Sequence, residues 1–415
     1  MSPISRPGRA VLGASVVALT MVVATACGPD NADPAVTAAP GVTAGASGTP
    51  GAAPIKLPTL EELKTWKLED WDKWAQANVI TPAVKGYWTL QKLLDAKPKP
   101  LPQPAPEGTQ PPAQPTGAAP ATSAPASAAP ATAAPTAQPT AAQPGGGGGA
   151  DQLPAMVPAK PVAHPFPKNM HVNGKIFFKD GNEDYVCSGT VVSDPANPGK
   201  SNLVWTASHC LHGGKGNKYY TDITFAPAFN SNGVLSNGNK QAKLEDAEPY
   251  GEWTATSGMV SPQWAAEADP EKGGPWSQYD FGIVKVANPS PGGKSLEETV
   301  GGSVPLWFNA PRDQVGAVSN YGFPEGKPFD GVELEHCDGG KPSKKTGDPS
   351  RPAMLLIGCN MTGGSSGGGW YATKDGKPAL VSDTSIGNGA NTYEAGPYLE
   401  DVAQHMFEYF SKKAK

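Results

Sequence analysis

The sequence has little net charge and few cysteines, and both shortages restrict its function. Its 33 Lys and Arg and 38 Asp and Glu residues leave a formal net charge of -5 over 415 residues. No block of basic residues is present, so the composition indicates neither binding to nucleic acid nor electrostatic binding to a membrane. Five cysteines are an odd number for a secreted protein, in which cysteines are expected to pair.

Glycine and proline are abundant instead, with 50 and 46 residues, which is too many for one compact domain. Residues 28–56 contain almost nothing large to bury, and they are predicted to form a disordered tether. Residues 97–150 are dominated by Pro, Ala and Gly and are predicted to be an extended linker, at up to about 3 Å per residue. Residues 151–415 then form the main folded domain.

The N-terminus has the pattern of a secretory signal, predicted over residues 1–27. Two arginines precede the apolar run Ala10–Ala24, which ends in small residues before Cys27. This resembles a bacterial lipobox, in which the cysteine is lipidated and anchors the protein to the outer face of the membrane. Ordinary cleavage nearby and an uncleaved span are the alternatives, although the run is short for about 20 residues of membrane helix.

Residues 57–96 predict two short helices that form a hairpin. The first has a capping-box pattern at Thr59–Glu62 and a second cap is expected at Thr81, followed by Pro82. Because roughly 40 residues are marginal for an independent core, their tryptophans need another surface. Three such surfaces are left as alternatives by the sequence: the following domain, an unknown partner and the membrane interface. A small hairpin that packs only on itself is the fourth alternative.

The stretch Cys359–Trp370 reads C-N-M-T-G-G-S-S-G-G-G-W. Glycines on both sides of the serines allow a tight turn that brings backbone N–H groups close to a bound carbonyl. Ser366 is therefore the candidate nucleophile for acyl transfer. Ser365 is the rival, but only Ser366 is followed directly by two glycines. A flexible linker has the same glycine- and serine-rich composition, so this stretch alone does not distinguish a linker from a loop that carries a nucleophile.

Two further motifs supply the partners of a serine nucleophile. Leu203–Cys210 reads L-V-W-T-A-S-H-C, and Tyr279–Val286 reads Y-D-F-G-I-V-K-V. With the serine stretch, they place His209, Asp280 and Ser366 in an order that resembles trypsin-like (chymotrypsin-fold) serine peptidases. The sequence T-G-G-S-S-G-G is similar to the nucleophile motif of the bacterial, V8-like branch of that family. The rival His212 lacks the T-A-S run and the following cysteine.

The resemblance covers roughly residues 165–415 and implies a role for each residue. Ser366 would attack the peptide carbonyl, His209 would take and return the proton, and Asp280 would orient the imidazole. The oxyanion hole would be formed by the backbone N–H groups of Gly364 and Ser366. Four residues are expected to line the substrate pocket: Asn360, Thr384, Ser385 and Gly387. We expect this pocket to prefer a neutral side chain.

The resemblance also implies how the cysteines pair. Cys187 and Cys210 match the family's bridge across the histidine loop, and Cys337 and Cys359 are then left to pair with each other. All four are expected to be structural staples, and no metal or cofactor is predicted. Lipidation of Cys27 would explain the fifth cysteine.

Trypsin-like zymogens hold the aspartate before the nucleophile with a newly cut N-terminal amine. This chain has Ser365 at that position, which cannot pair with a cation by charge. We therefore predict that the fold itself builds the oxyanion hole, and that no cut at a particular residue is needed for activity.

The fold predicted for residues 151–415 is all-β, a double β-barrel of chymotrypsin type closed by a C-terminal helix over Tyr398–Lys412. The predicted strands are Gly174–Phe178, Tyr185–Val192, Asn202–Thr206, Phe281–Val286, Met354–Ile357 and Leu380–Asp383. Residues 213–239 are expected to be a loop with one short strand, and Gly339 and Gly340 are expected to form a turn.

The function predicted from these features is an extracytoplasmic serine endopeptidase acting on protein or peptide substrates. The alternative is a catalytically silent lipoprotein that keeps a peptidase fold as a binding or adhesion module. Loss of a triad residue would be its signature, and all three residues are present.

Overall fold

The computed structural model describes residues 62–63, 65–77, 80–84, 86–104, 153–239, 241–288 and 293–413. The predicted signal with Cys27, the tether and most of the linker lie outside this part of the chain. Within it, no helix has the length and apolar character needed to cross a membrane.

The described residues contain short helices and many strands. The helices are α1 (Leu68–Ala77), α2 (Leu90–Asp95), α3 (Leu244–Ala247), α4 (Pro262–Glu267), α5 (Leu296–Val300) and α6 (Asp401–Lys413). The first ten strands are β1 (Lys97–Pro98), β2 (Gln103–Pro104), β3 (Lys160–Pro161), β4 (Asn173–Asp180), β5 (Glu183–Val192), β6 (Leu203–Thr206), β7 (Thr221–Pro227), β8 (Trp253–Val260), β9 (Lys272–Gly273) and β10 (Gly282–Ala287). The others are β11 (Val318–Gly322), β12 (Glu335–Gly340), β13 (Ser343–Lys345), β14 (Met354–Gly358), β15 (Gly369–Lys374), β16 (Lys377–Asp383), β17 (Ile386–Gly387) and β18 (Tyr393–Gly396).

Six of these strands close into a first barrel. They follow the order β5-β4-β7-β8-β10-β6, and β6 pairs back with β5. Closure removes the free edges of a sheet, and buried apolar side chains such as Ile176, Val204 and Ile283 belong to one core. Strands β6 and β10 are antiparallel, with Thr206 opposite Gly282. The chain therefore leaves β6 close to the point where it enters β10.

The second half of the fold consists of two antiparallel sheets, with the orders β16-β15-β11-β12-β3 and β13-β14-β18-β17. Val318, Ile357 and Trp370 are buried in the core that these strands share. Together with the first barrel, the sheets form the predicted double β-barrel of chymotrypsin type, and the prediction of an all-β fold is confirmed.

The C-terminal helix is also confirmed, although α6 begins at Asp401 rather than Tyr398. Its apolar face packs on the first barrel, where the ring of Phe407 lies 6.4 Å from that of Trp205. The six predicted strands overlap β4, β5, β6, β10, β14 and β16.

The prediction of a loop with one short strand over residues 213–239 is confirmed. The strand is β7, in the wall of the barrel, and its Ile223 and Phe225 are buried between β4 and β8. One local prediction is wrong: Gly339 and Gly340 are the last residues of β12 and do not form the expected turn. Gly340 has a φ of +68°, a left-handed conformation that favours glycine.

The helical segment does not form the predicted hairpin. The second helix, α2, begins at Leu90 and is capped by the Thr89 hydroxyl, which accepts a hydrogen bond from Lys92 N at 3.3 Å. No helix begins at Thr81. The intervening chain is held by tertiary contacts instead, since Val84 N donates to a carboxylate oxygen of Asp222 at 2.9 Å.

The tryptophans of this segment pack on the barrel domain, which is one of the surfaces left open by the sequence. Trp71 stacks on Tyr409 of α6 with 6.2 Å between ring centroids. The hydroxyl of Tyr409 also donates to Asp72 at 2.6 Å. Further along, Trp88 packs on Phe177 of β4 at 5.4 Å. The segment thus covers two separate parts of the domain.

Candidate active site

The first barrel places His209 just after a strand end. Strand β6 stops at Thr206, and a single 3-10 turn over Ser208–Cys210 turns the imidazole towards the second half of the fold. The disulfide Cys187–Cys210, with an S–S distance of 2.00 Å, ties this turn to β5. His209 is fully buried.

Asp280 lies at the end of the 3-10 helix Pro275–Tyr279, immediately before β10. One carboxylate oxygen accepts from His209 N at 2.9 Å, and the other is 2.7 Å from His209 Nδ1. The hydroxyl of Ser385 donates to the second oxygen at 2.7 Å. Because Nδ1 faces a carboxylate, it carries the proton, and Nε2 is left as an acceptor.

Ser366 lies in the loop between β14 and β15, and its backbone is held from several sides. Its carbonyl accepts from Ser188 N of β5 at 2.7 Å. The next residue, Gly367, has a φ of +76°, and a Cβ there would lie 2.0 Å from the hydroxyl of Thr206. Glycine is therefore required at this position, and the close contact brings the serine loop against the end of β6.

The hydroxyl of Ser366 and His209 Nε2 are both buried, and neither makes a hydrogen bond with any described residue. They are the two atoms between which a nucleophilic serine and its base exchange a proton. The bond between His209 Nδ1 and Asp280, in contrast, is already made.

The rival residues have structural partners. Burial lowers the pKa of His212 to about 4, and its Nδ1 accepts from Gly214 N at 3.0 Å. The hydroxyl of Ser365 lies 2.8 Å from the carbonyl of Thr362 and 2.9 Å from a carboxylate oxygen of Glu394. The hydroxyl of Ser365 and the Nδ1 of His212 are thus already engaged in structural hydrogen bonds.

Glu394 is a site residue that sequence reasoning missed. It lies on β18, is fully buried and contacts the hydroxyls of Ser365 and Thr384 and the amide of Asn320. Burial raises the pKa of its carboxyl to about 7, and these hydrogen bonds oppose the rise. No sequence pattern around Y-E-A-G marks this residue. Glu394 thus holds the hydroxyl of Ser365, the residue immediately before the candidate nucleophile.

The four predicted pocket residues are placed around the same loop. The side-chain oxygen of Asn360 accepts from Ala159 N at 2.6 Å. Thr384 accepts from the indole of Trp370 at 2.9 Å, while Ser385 bonds to Asp280 as described. Gly387 is next to Leu101, where an added Cβ would lie 2.9 Å from a methyl group of that leucine.

The cysteines pair as the family resemblance implies. The second disulfide, Cys337–Cys359, has an S–S distance of 2.14 Å and lies just before the serine loop. Among the described residues, Cys187, His209 and Cys210 bring their ligand atoms within 4.8 Å of one another. Both sulfurs of that group are consumed by a disulfide, so it does not have the thiolates that a metal would need.

Solved structures similar to this chain include proteases and, at 12–13% identity, human heparin binding protein. A thermostable serine protease from an extremophilic microorganism is 31% identical, with coverage of 60% of this chain and 100% of that one and a TM-score of 0.47. The protease Anisep from Arthrobacter nicotinovorans is 33% identical, with coverage of 61% and 97% and a TM-score of 0.47. A Glu endopeptidase is 15% identical over 63% and 99% of the two chains, with a TM-score of 0.43.

No protein-family model matches the sequence, and no curated protein does. Because the TM-scores are below 0.5, the roles of individual residues depend on the geometry of this chain.

Proposed function

We propose that this chain is a serine endopeptidase that hydrolyses peptide bonds through an acyl-enzyme. The observation that carries the proposal is the pair of unbonded polar atoms, Ser366 Oγ and His209 Nε2, next to an imidazole fixed by Asp280. An unpaired buried hydroxyl is costly in a folded protein, and a reactive position is one reason to retain it.

The chemistry follows from the placement of the protons. Ser366 Oγ forms a bond to the substrate carbonyl carbon while its proton passes to His209 Nε2. The imidazolium, stabilised by Asp280, then gives this proton to the leaving amine as the C–N bond breaks. Water repeats the two steps, breaks the acyl ester and restores the serine.

The negative oxygen of each tetrahedral intermediate would be bound by the N–H groups of Gly364 and Ser366. Gly364 has a φ of +99°, a conformation that favours glycine and sets the direction of its N–H. The contacts of Ser365 with Glu394 and Thr362 hold the residue between these two amides. The proposed oxyanion hole is therefore supported by internal hydrogen bonds and needs no new N-terminus.

The decisive test is covalent labelling of the full chain with a fluorophosphonate, followed by identification of the labelled residue. We expect labelling at Ser366, its complete loss in Ser366→Ala, and its retention at a lower rate in Ser365→Ala, which keeps the nucleophile and loses only the hydrogen bonds that support the oxyanion hole. Labelling or peptide hydrolysis that persists in Ser366→Ala would contradict the mechanism.

We also propose an extracytoplasmic location, supported by the two disulfides, which persist in oxidising compartments. The lipid anchor at Cys27 belongs to this proposal and rests on the sequence alone. Mass spectrometry of the mature N-terminus should find a lipid on Cys27 in the wild type and none in Cys27→Ser. Cleavage elsewhere without a lipid would exclude the anchor.

A further inference from the structure

Residues 97–104, here called the strap, cross the candidate active site. The strap begins at β1, which runs parallel to β5 beside Tyr185 and Val186, and ends at β2, which pairs with β9. Its sequence is K-P-K-P-L-P-Q-P, so every second residue is proline. Proline fixes φ and removes an N–H group, so this segment is extended before it binds and has few donors to satisfy.

The strap contacts the groups proposed to bind substrate. The carbonyl of Lys99 accepts from Gly364 N, an oxyanion-hole donor, at 3.2 Å. A Cβ at Gly363 would lie 2.8 Å from the same carbonyl oxygen. Leu101 is buried beside Gly387, the predicted pocket residue. A peptide substrate would need these positions, and the chain's own segment fills them.

The side chain of Lys99 enters a cation-binding pocket next to the cleft and is only 7% exposed. Its Nζ is 3.4 Å from a carboxylate oxygen of Asp180. The same atom lies 4.7 Å from the ring centroid of Tyr185, 4.9 Å from that of Tyr220 and 6.0 Å from that of Phe178. Aromatic faces and a carboxylate are groups that attract a cation.

Lys97 provides a contrast within the strap. Its ammonium pairs with Glu183, but its side chain is 59% exposed. Exposed ion pairs of this kind contribute little to binding. The buried lysine, not the charge of the segment as a whole, therefore anchors the strap.

We propose that residues 97–104 are an intramolecular inhibitor that occupies the substrate cleft, and that the pocket around Lys99 is a subsite for a basic side chain. The inference rests on the proposed peptidase function. The cleft of the wild-type protein is then closed for most of the time, so that labelling is slow, and any change that releases Lys99 from its pocket opens the cleft to peptides.

The first test compares Lys99→Met and Lys97→Met in the full-length protein. Methionine keeps the apolar stem of lysine and removes the charge. We expect the rate of fluorophosphonate labelling to rise about tenfold in Lys99→Met, as expected from loss of a desolvated cation–π contact. Lys97→Met should stay within about twofold of the wild type, since its ion pair is exposed. Equal labelling rates in all three proteins would overturn the inhibitor proposal and leave the peptidase function intact.

The second test adds the peptide Lys-Pro-Lys-Pro-Leu-Pro-Gln-Pro, with blocked ends, to the Lys99→Met protein. It should slow labelling again, and a peptide with norleucine at its third position should be at least about tenfold weaker, because it brings no cation to the pocket. Equal inhibition by both peptides would exclude the basic subsite. If Lys99→Met does not fold, Asp180→Asn tests the same pocket from its other side.

Hydrogen exchange of the backbone separates failure of this inference from failure of the proposed function. The amides of residues 183–186 should exchange faster in Lys99→Met than in Lys97→Met, whether or not the protein is a peptidase. Faster exchange without labelling in any variant would contradict the proposed function, and with it the inhibition. Unchanged exchange would contradict anchoring by Lys99.

Discussion

The two halves of the candidate site differ in which of their side-chain atoms already have hydrogen-bond partners. In the first barrel, His209 is bonded to Asp280 through its backbone N–H and its ring. In the second, the backbone of Ser366 is tightly held, but its hydroxyl has no partner among the described residues. Each half is organised by its own half of the fold, and only the contact between them is left open for chemistry.

The buried carboxyl groups of the two halves differ as well. Asp280 has three donors at 2.7–2.9 Å, from His209 and Ser385. Glu394 is as deeply buried, and burial raises its pKa to about 7. The first carboxylate is placed to stabilise a positive charge, whereas the second fixes the shape of a loop. Substitution of Asp280 should therefore affect catalysis, whereas substitution of Glu394 should affect stability.

After replacement of the nucleophile itself, the largest expected effect is that of Asp280→Asn. It should lower kcat/KM by about 10⁴-fold, because the amide cannot hold the imidazole in the useful tautomer or stabilise its charge. Steady-state hydrolysis of a peptide substrate measures it. The matched control is Asp383→Asn, since burial raises the pKa of that neighbouring carboxyl well above its usual range. Comparable losses in both variants would contradict a specific role for Asp280.

Removal of either disulfide should lower stability by a similar amount. Cys187 and Cys210 are 23 residues apart, and Cys337 and Cys359 are 22 apart. Loop-closure entropy then predicts a loss of about 3 kcal/mol in the free energy of unfolding for each double alanine variant. Denaturant unfolding measures it. A much larger loss for one pair would show that the stability of one half of the fold depends more strongly on its disulfide than that of the other half.

The sequence predicts most of the site because its signals are local. His209, Asp280 and Ser366 each lie in a short contiguous motif next to a strand, and the chain order of the motifs identifies the family that they resemble. Glu394 has no such motif, and its contact with Ser365 joins residues 29 positions apart. The bond from Gly364 N to Lys99 O spans a still longer distance in the chain. It falls in a segment whose proline content predicted a linker.

Some strands and helices were located from the sequence and others were not. The physical reason is similar, because local sequence patterns do not include tertiary contacts. Strands with strong apolar runs, such as β5 and β14, were predicted close to their observed bounds. For β7 the sequence predicted only one short strand somewhere in residues 213–239, because its neighbours are rich in Asn and Gly. The start of α2 was misplaced because Thr81 and Thr89 are both acceptable caps, and the contacts of Trp88 with the barrel decide between them. Local propensity cannot include such tertiary contacts.

Glu394→Ala should be the next smaller effect, on stability rather than on chemistry. It removes the carboxylate acceptor of the Asn320 amide, while Ser365 keeps its bond to the carbonyl of Thr362. An unsatisfied buried group costs about 1–3 kcal/mol. The free energy of unfolding, measured by denaturant titration, should fall by about 2 kcal/mol. Glu394→Gln, which keeps an acceptor oxygen, should lose less. Equal losses in the two variants would mean that the hydrogen bonds of this network contribute nothing.

Per pH unit, the smallest expected effect is a dependence of stability on pH, to which Glu394 and one further buried carboxyl in each half contribute. Burial raises the pKa of Glu248, which precedes β8, from 4.5 to about 8, and that of Glu335 on β12 to about 7. Between these values and 4.5, the folded protein retains protons that the unfolded chain releases. The free energy of unfolding therefore falls as the pH rises through this window, by at most about 1.4 kcal/mol per pH unit for each group.

Glutamine at either position cannot ionise, so each substitution should remove its own part of this slope. Thermal unfolding between pH 4.5 and pH 8 should show a flatter curve for Glu248→Gln over the whole window, and for Glu335→Gln mainly below pH 7. The first change acts in the first barrel and the second in the other half, so the two curves compare the halves directly. A slope that neither variant alters would mean that neither carboxyl is protonated in the folded protein, and the burial of both groups would then have to be compensated by water.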